Sequence, residues 1–416
     1  MDTPERYDLI IAGAGMAGAT FALAAVQGGL TVLLVDPQPF ETQVAPTFDG
    51  RSTAIAFSTF RMLDALGVGE ALRPHACRMD HILVTDGRRP GAASAKASPA
   101  FLRFDAREIG DRTGGEPLGY MVENRRIRAA LAQAVGAAGI ETRTVSVTGV
   151  DAGPARATVT LSDGSTAEAT VVIGAEGRGS RVRTLACIDT VGWDYGQGGV
   201  VATVRLGSDH GGVAHEYFLP SGPFAILPLT DQRASLVWTE TSRRAEALKT
   251  AGDAAFHAHL MRRFGEFLEG ATVEGPRFVY PLALSFAERL TAPRVALIGD
   301  AAHAVHPVAG QGLNMGLKDA AALAEVLVEA LRLGEDIGSE LVLDRYARWR
   351  RFDNAALAVG FDAFVRLFSN DLAPVRLARD LGMAAVNRIA PLRRAFMQEA
   401  GGASGDLPRL LRGEAL

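Results

Sequence analysis

Cysteine is almost missing from this 416-residue chain: Cys77 and Cys187 are the two present, far apart and outside any C-x-x-C pair. That excludes a disulfide framework, argues against a redox dithiol, and suits a reducing compartment, with the cytoplasm as the default. Lysine is scarce too, with Lys96, Lys249 and Lys318 among 43 basic residues. The formal net charge is −4, so there is no global basic excess and nucleic acid is not an expected partner. No unbroken run of about 18 apolar residues exists, so no membrane span is expected. The first apolar run, Leu9–Ala12, follows Asp2, Glu5 and Arg6 and carries no signal-peptide pattern. Internal repeats and low-complexity tails are absent as well. What remains is a globular composition, 48% hydrophobic and 22% charged, in a chain longer than one simple core usually holds. Two closely packed lobes are expected.

The order of patterns gives the lobes their character. Residues 7–12 read as a buried strand running into a glycine-rich turn and an alanine-rich helix to about Gln27. A second apolar strand, 30–35, follows and ends in Asp36. This is the opening of a doubly wound parallel sheet. Residues 52–72 read as a helix and 88–105 as a loop broken by Pro90, Gly91 and Pro99. A further helix is expected at 124–138, then a strand-like stretch, and a hairpin turning at Asp163-Gly164. From about 192 to 286 the texture becomes β-rich, with one helix near 252–269, as expected of an inserted, mainly antiparallel sheet. Another buried strand ends at Gly299-Asp300, and helices are expected at 312–333, 340–368 and 374–400. The fold class is therefore α/β with an α+β insertion. A discontinuous nucleotide-binding domain is expected over 1–75, 105–190 and 290–350. A substrate domain is expected over 76–104 and 191–289, and a helical region over 351–416.

Three motifs carry chemistry. In Gly13-Ala14-Gly15-Met16-Ala17-Gly18 the glycines permit a tight turn and close approach of a pyrophosphate to a helix N-terminus. Asp36, at the end of the next strand, is placed to accept from a ribose hydroxyl. The second motif, Asp49-Gly-Arg51-Ser-Thr-Ala-Ile55, has two readings: a polar loop capping a helix through Ser52 or Thr53, or an arginine fork reaching a dinucleotide. The third runs from Leu297 through Gly299, Asp300, His303, His306, Pro307, Gly310, Gln311, Gly312 and Leu313 to Asn314. It places a carboxylate at the carboxyl edge of the sheet and a glycine-rich loop before a helix, whose amides would face an electron-rich ring. His303 and His306 lack a third ligand at a recognisable spacing, so no metal site is expected.

These motifs, with GAEGRGSRVR at 174–183, resemble in order and spacing the FAD-dependent aromatic hydroxylases related to p-hydroxybenzoate hydroxylase. DGRSTAI and HPVAGQGLNMGLKDA most resemble the ubiquinone-biosynthesis hydroxylase branch, typified by 2-octaprenyl-6-methoxyphenol hydroxylase. The resemblance spans about residues 7–350. It implies that the glycine-rich turn, residues 13–18, holds the FAD pyrophosphate and Asp36 the adenosine ribose. Arg51, Asn124 and Arg128 would contact the FAD chain. Gly299 and Asp300 would bind the ribityl hydroxyls, and Pro307, Gly310, Gln311, Gly312, Leu313 and Asn314 would border the isoalloxazine. Glu176 stands where the family usually has Asp, and it is tied to FAD or NAD(P)H contact. Asp36 stands where Glu is frequent.

The resemblance further implies ring hydroxylation of a polyprenylated phenol through a flavin C4a-hydroperoxide, with O2 and reducing equivalents from NAD(P)H or another donor. Such a site needs no covalent nucleophile. It places the ring, excludes water and favours the phenolate, with Pro307 and Asn314 beside the reacting centre. His215, Glu216 and Tyr217 alternate on an expected strand: Tyr217 either polarises the phenol or packs in the core. Phe218, Phe224 and Leu227 either line a prenyl tail or are core. Arginine-rich C-terminal helices, as in Pro391-Leu-Arg-Arg-Ala-Phe-Met397, are either a solvated face or a contact for a biosynthetic complex or the inner face of a membrane. Two rival functions stand beside this one: a flavin hydroxylase acting on a soluble aromatic or antibiotic-like substrate, and a non-hydroxylating FAD-binding scaffold. No W-x-W-x-I-P motif supports a halogenase.

Overall fold

A computed structural model describes residues 5–45, 47, 49–86, 101–110, 114–219, 222–264, 268, 270–305, 311–351, 382 and 385–416. Apolar β-branched runs with few polar interruptions make strands buried on both faces. Accordingly, β1 (Glu5–Ala12), β2 (Val32–Val35), β11 (Thr166–Gly174) and β18 (Val295–Leu297) form the parallel centre of one eight-stranded sheet. Its order is β17-β18-β11-β1-β2-β8, with β17 at Thr291–Ala292 and β8 at Glu141–Arg143. The hairpin strands β9 (Val147–Ala152) and β10 (Ala157–Leu161) pair off β11, and Gly164, at φ 87°, makes the turn. Helices α1 (Met16–Gln27), α3 (Asn124–Ala137) and α6 (Gln311–Arg332) pack on this sheet through one large apolar cluster that includes Leu9, Phe21, Ile127 and Leu323.

A second eight-stranded sheet has the order β19-β16-β12-β15-β14-β13-β5-β6. Its strands are β5 (His81–Asp86), β6 (Phe101–Asp105), β12 (Thr190–Arg205), β13 (Val213–Leu219), β14 (Gly222–Leu229), β15 (Arg233–Thr241), β16 (Thr272–Ala287) and β19 (His303–Ala304). All pairings in it are antiparallel except β5 with β13. One face is covered by α4 (Ser242–Thr250) and α5 (Asp253–Phe264), around Phe224, Trp238 and Phe256. The other turns toward the first sheet and toward a three-stranded sheet, β3-β7-β4, of Ser52–Ala56, Gly119–Glu123 and Cys77–Met79.

Two local expectations are corrected. The stretch 52–72 is not one helix. Ser52–Ala56 is strand β3, paired antiparallel with β7, and helix α2 (Phe57–Ala65) begins only after it. Pairing satisfies the β3 backbone and overrides its weak helical signal. The segment expected as loop ends in strand β6, while 87–100 lies outside the described residues. Of the C-terminal helices, 340–351 and 385–388 are helical, as is α7 (Ala390–Ala400); the expected helix stretches 352–368 and 374–381 lie outside the described residues.

Candidate active site

The chemistry-bearing motifs meet at the carboxyl edge of the parallel sheet. β1 ends at Ala12, and Gly13 turns the chain at φ 103°, where a Cβ would strike the backbone of Ala175. Gly18 is packed on the Gly13 carbonyl, so both are glycine for lack of room. Gly15 differs: nothing lies within 4 Å of where its Cβ would be. It is the N-cap of α1, and no side chain caps that helix. An open, uncapped helix N-terminus offers free amide donors and partial positive charge, which is what a pyrophosphate requires. Met16 and Ala17 form its first turn, with Met16 packed on the core.

Asp36, at the end of β2, accepts from the Ala14 amide (2.8 Å) and the Gln38 amide (2.8 Å). Its carboxylate thus holds the glycine-rich turn in shape while staying partly exposed at the edge. On the other side, Gly299 (φ 61°) closes β18; its missing Cβ lets Ala17 of α1 and Gly316 of α6 approach. Asp300 follows, exposed at the same edge. These features fit FAD: an open amide nest for phosphates and carboxylates on both sides of it for sugar and ribityl hydroxyls.

Arg51 reaches this edge from the loop before β3, and the charge of Asp300 bears on it. Its guanidinium forks onto Asp49, Nε to Oδ1 and Nη2 to Oδ2, both 2.9 Å, and lies 4.6 Å from the Tyr280 ring centre. Asp49 is the hub that sequence reasoning passed over. It also accepts from Asn124 Nδ2 (3.0 Å), Arg128 Nη2 (2.9 Å) and the Tyr280 hydroxyl (3.2 Å). Burial alone would push its carboxyl up, but the guanidinium of Arg51 and the other donors outweigh that and hold it well below the usual carboxylate range. The signal was the Asp itself, two residues before Arg51. Asn124 and Arg128 are therefore buried around Asp49, with Thr53 donating to Asn124 Oδ1 (2.6 Å).

Asn314, in the first turn of α6, donates to the Ala54 carbonyl (2.8 Å) and accepts from the Ala56 amide (3.0 Å). It pins the start of that helix to β3, beside partly exposed Gln311, Gly312 and Leu313. His306, Pro307 and Gly310 lie outside the described residues. Glu176 is spent locally: its Oε2 accepts from Ser180 Oγ (2.6 Å) and the Val182 amide (3.0 Å), capping the helical turn Arg181–Leu185.

Tyr217 is a correction. It is buried on the helix-covered face of the second sheet with Phe224 and Trp238, so it packs in the core and does not face the first sheet. Phe224 shares that face, while Phe218 and Leu227 lie on the opposite one. Among the described residues no group of three or more potential metal ligands exists, and His303 is engaged in a buried ion pair. Its Nε2 meets Asp319 Oδ2 at 2.5 Å, and Asp319 Oδ1 accepts from Arg350 Nε at 2.8 Å, all three fully buried.

The FAD binding domain family matches residues 6–358. The chain is 43% identical to ubiquinone hydroxylase UbiL of Rhodospirillum rubrum, over 98% of this chain and 93% of that one. It is 35% identical to the 3-demethoxyubiquinol 3-hydroxylase of Escherichia coli, over 96% and 100%. Among solved structures it superposes on p-nitrophenol 4-monooxygenase PnpA of Pseudomonas putida DLL-E4 with a TM-score of 0.78, at 19% identity, over 97% and 100% of the two chains. An open amide nest, paired edge carboxylates and an arginine fork, on a fold shared with a flavin monooxygenase, agree with the sequence matches: the chain belongs to the FAD-binding family of flavin-dependent aromatic hydroxylases, among the ubiquinone-biosynthesis hydroxylases.

Proposed function

We propose that this protein hydroxylates the ring of a polyprenylated phenol in ubiquinone biosynthesis. The observation that carries the reading is the meeting of the Gly15 nest, Asp300 and Arg51 at one sheet edge, next to a second sheet that turns a largely apolar face toward them. Residues 13–18 hold the pyrophosphate, Asp36 the adenosine ribose, and Asp300 the ribityl chain. Arg51, set by Asp49, Asn124 and Arg128, steadies the chain between them. Residues 307–314 border the ring system, with Asn314 fixing the register of that border against β3. Bound FAD supplies the activation of O2 after reduction, NAD(P)H being the usual reductant in such enzymes. The protein's own task is to bind the phenol against the apolar face, orient its ring and keep water out. In this reading 1–75, 105–190 and 290–350 form the FAD domain, and 76–104 with 191–289 the substrate domain.

A prenylated substrate resides in lipid, and α7 suits delivery from it. Ile389, Leu392 and Phe396 are exposed along one side of this region, with Arg388 and Arg394 exposed beside them. No helix among the described residues is long and apolar enough to cross a membrane, and in this reading these side chains rest on the bilayer surface.

The test is a purified protein that releases FAD on denaturation and, with reductant, transfers one atom of 18O2 to a prenylphenol. Bound FAD with no labelled product from any prenylphenol, but turnover of a soluble phenol, would move the substrate class to the rival hydroxylases. Bound FAD with no hydroxylation at all would favour the scaffold.

A further inference from the structure

The two faces of β13 meet different surroundings. His215 and Tyr217 point to the helix-covered face, where Tyr217 is core. Glu216, between them, points the other way. Its register neighbours are Ala225 on β14 and Val84 on β5. Two residues before it, Ala214 packs with Leu229 on Met79 and Met121, in the same cluster as Ala54, whose carbonyl Asn314 holds. Two residues after it, Phe218 packs on Val84 and Leu102. From this face Phe278 covers Gly50, and Tyr280 reaches Asp49. A half-buried carboxyl thus stands in an apolar wall that looks toward the FAD edge, and no hydrogen bond or ion pair to the described residues engages it.

Resting on the proposed hydroxylation of a phenol, we infer that Glu216 is the catalytic base that takes the substrate's phenolic proton. The O–H bond of the bound phenol breaks as the proton passes to a Glu216 carboxylate oxygen, and the electron pair stays on the phenolate. The ring carbons ortho and para to that oxygen gain electron density, as an attack on oxygen by the ring requires. No oxidant or reductant is consumed in this step.

An unpaired carboxylate in apolar surroundings is the poorer for its lost solvation, and burial pushes the Glu216 carboxyl up to about 8. That narrows the gap to a phenol, ordinarily near 10, and makes the transfer less uphill than to a solvated carboxylate. Among the residues whose side chains are described, Pro223, Ala225 and Leu227 of β14 and Ile82 and Val84 of β5 share its face. In the three-stranded sheet packed there the titratable groups include Cys77, a thiol that burial pushes up to about 11 and keeps neutral, and Glu123, which is paired with Arg125 and Arg233. Farther along, Asp49 is paired with Arg51 and Arg128.

The experiment uses FAD-loaded protein, 2-geranylphenol as probe, and Glu216→Gln, which keeps the shape and removes the proton acceptor. In wild type kcat/KM should climb with pH through a midpoint near 8. Glu216→Gln should retain FAD and melt no lower than wild type at pH 6, fall by about 100-fold in kcat and lose the pH limb. Glu216→Asp should recover part of both. A Gln variant that keeps its kcat and the pH limb overturns the role of Glu216 and leaves phenol hydroxylation standing. Wild-type protein that holds FAD but does not bind the probe overturns the functional reading, and this role with it.

Discussion

Asp300 stands exposed beside Gly299, where its oxygens gain little from the protein and much from a ligand. Asp300→Ala should therefore fold with an unchanged melting temperature and bind FAD about 10- to 100-fold more weakly, the worth of one or two charge-assisted hydrogen bonds. Titration of apoprotein followed by flavin fluorescence checks this, and undiminished affinity would remove the ribityl role. Glu216 answers to pH in the opposite sense from a paired carboxylate. Its folded-state value, about 8, lies above the ordinary 4.5. Its contribution to stability is therefore full below about pH 4.5 and is lost as pH rises through 8. Glu216→Gln removes that loss, so the variant should gain melting temperature on wild type between pH 6 and pH 9. A difference that stays constant over that range would show that the carboxyl is solvated in the folded state.

At the scale of elements, the buried His303–Asp319–Arg350 chain ties β19, α6 and the helix at 340–351 into one unit. The Gly299 amide also donates to Asp319 (3.1 Å), so the carboxylate that anchors α6 also sets the turn bearing Asp300. Burial raises the cost of that charge, and His303 and Arg350 more than offset it, holding the Asp319 carboxyl below its usual range. Asp319→Ala leaves the buried Arg350 guanidinium and His303 imidazole without this carboxylate and should cost about 3–5 kcal/mol in denaturant unfolding. Much of this architecture was legible in advance. The strand-turn-helix of residues 7–27, the hairpin at Asp163-Gly164 and the strand ending at Gly299 each depend on neighbours in sequence, and periodicity with turn chemistry reports those. Asp319 and Arg350 pair across 31 residues and Asp49 meets Tyr280 across 231, and neighbouring sequence does not report partners so far apart. Tyr217 and Glu216 show the same limit at one-residue resolution. Alternation establishes that they face opposite ways, but which face meets helices and which meets the FAD edge depends on how the sheets stack. At β3, strand pairing with a segment some 70 residues away decided the outcome against a short helical signal.

At the scale of the whole molecule, the proposed function joins a nucleotide edge to the exposed apolar strip on α7. With Leu392 and Phe396 at successive turns of α7 and arginines beside them, the protein should sediment with vesicles containing anionic phospholipid and less with neutral ones. Replacing both apolar residues by Asp should abolish sedimentation without changing FAD content or the turnover of a short-tailed phenol in detergent-free buffer. Equal sedimentation of the double variant would place the membrane contact elsewhere.

The fork of Arg51 on Asp49 bears on how the holoenzyme is assembled. A guanidinium already aligned by its own chain, with two of its five donors engaged, has spent its rotational freedom during folding. An incoming dinucleotide then meets a docked arm with donors to spare, and little ordering is charged against its affinity. Apoprotein stripped of flavin should keep its tertiary fold and recharge quickly on adding FAD, so that cofactor supply, and not refolding, sets the pace at which active enzyme accumulates.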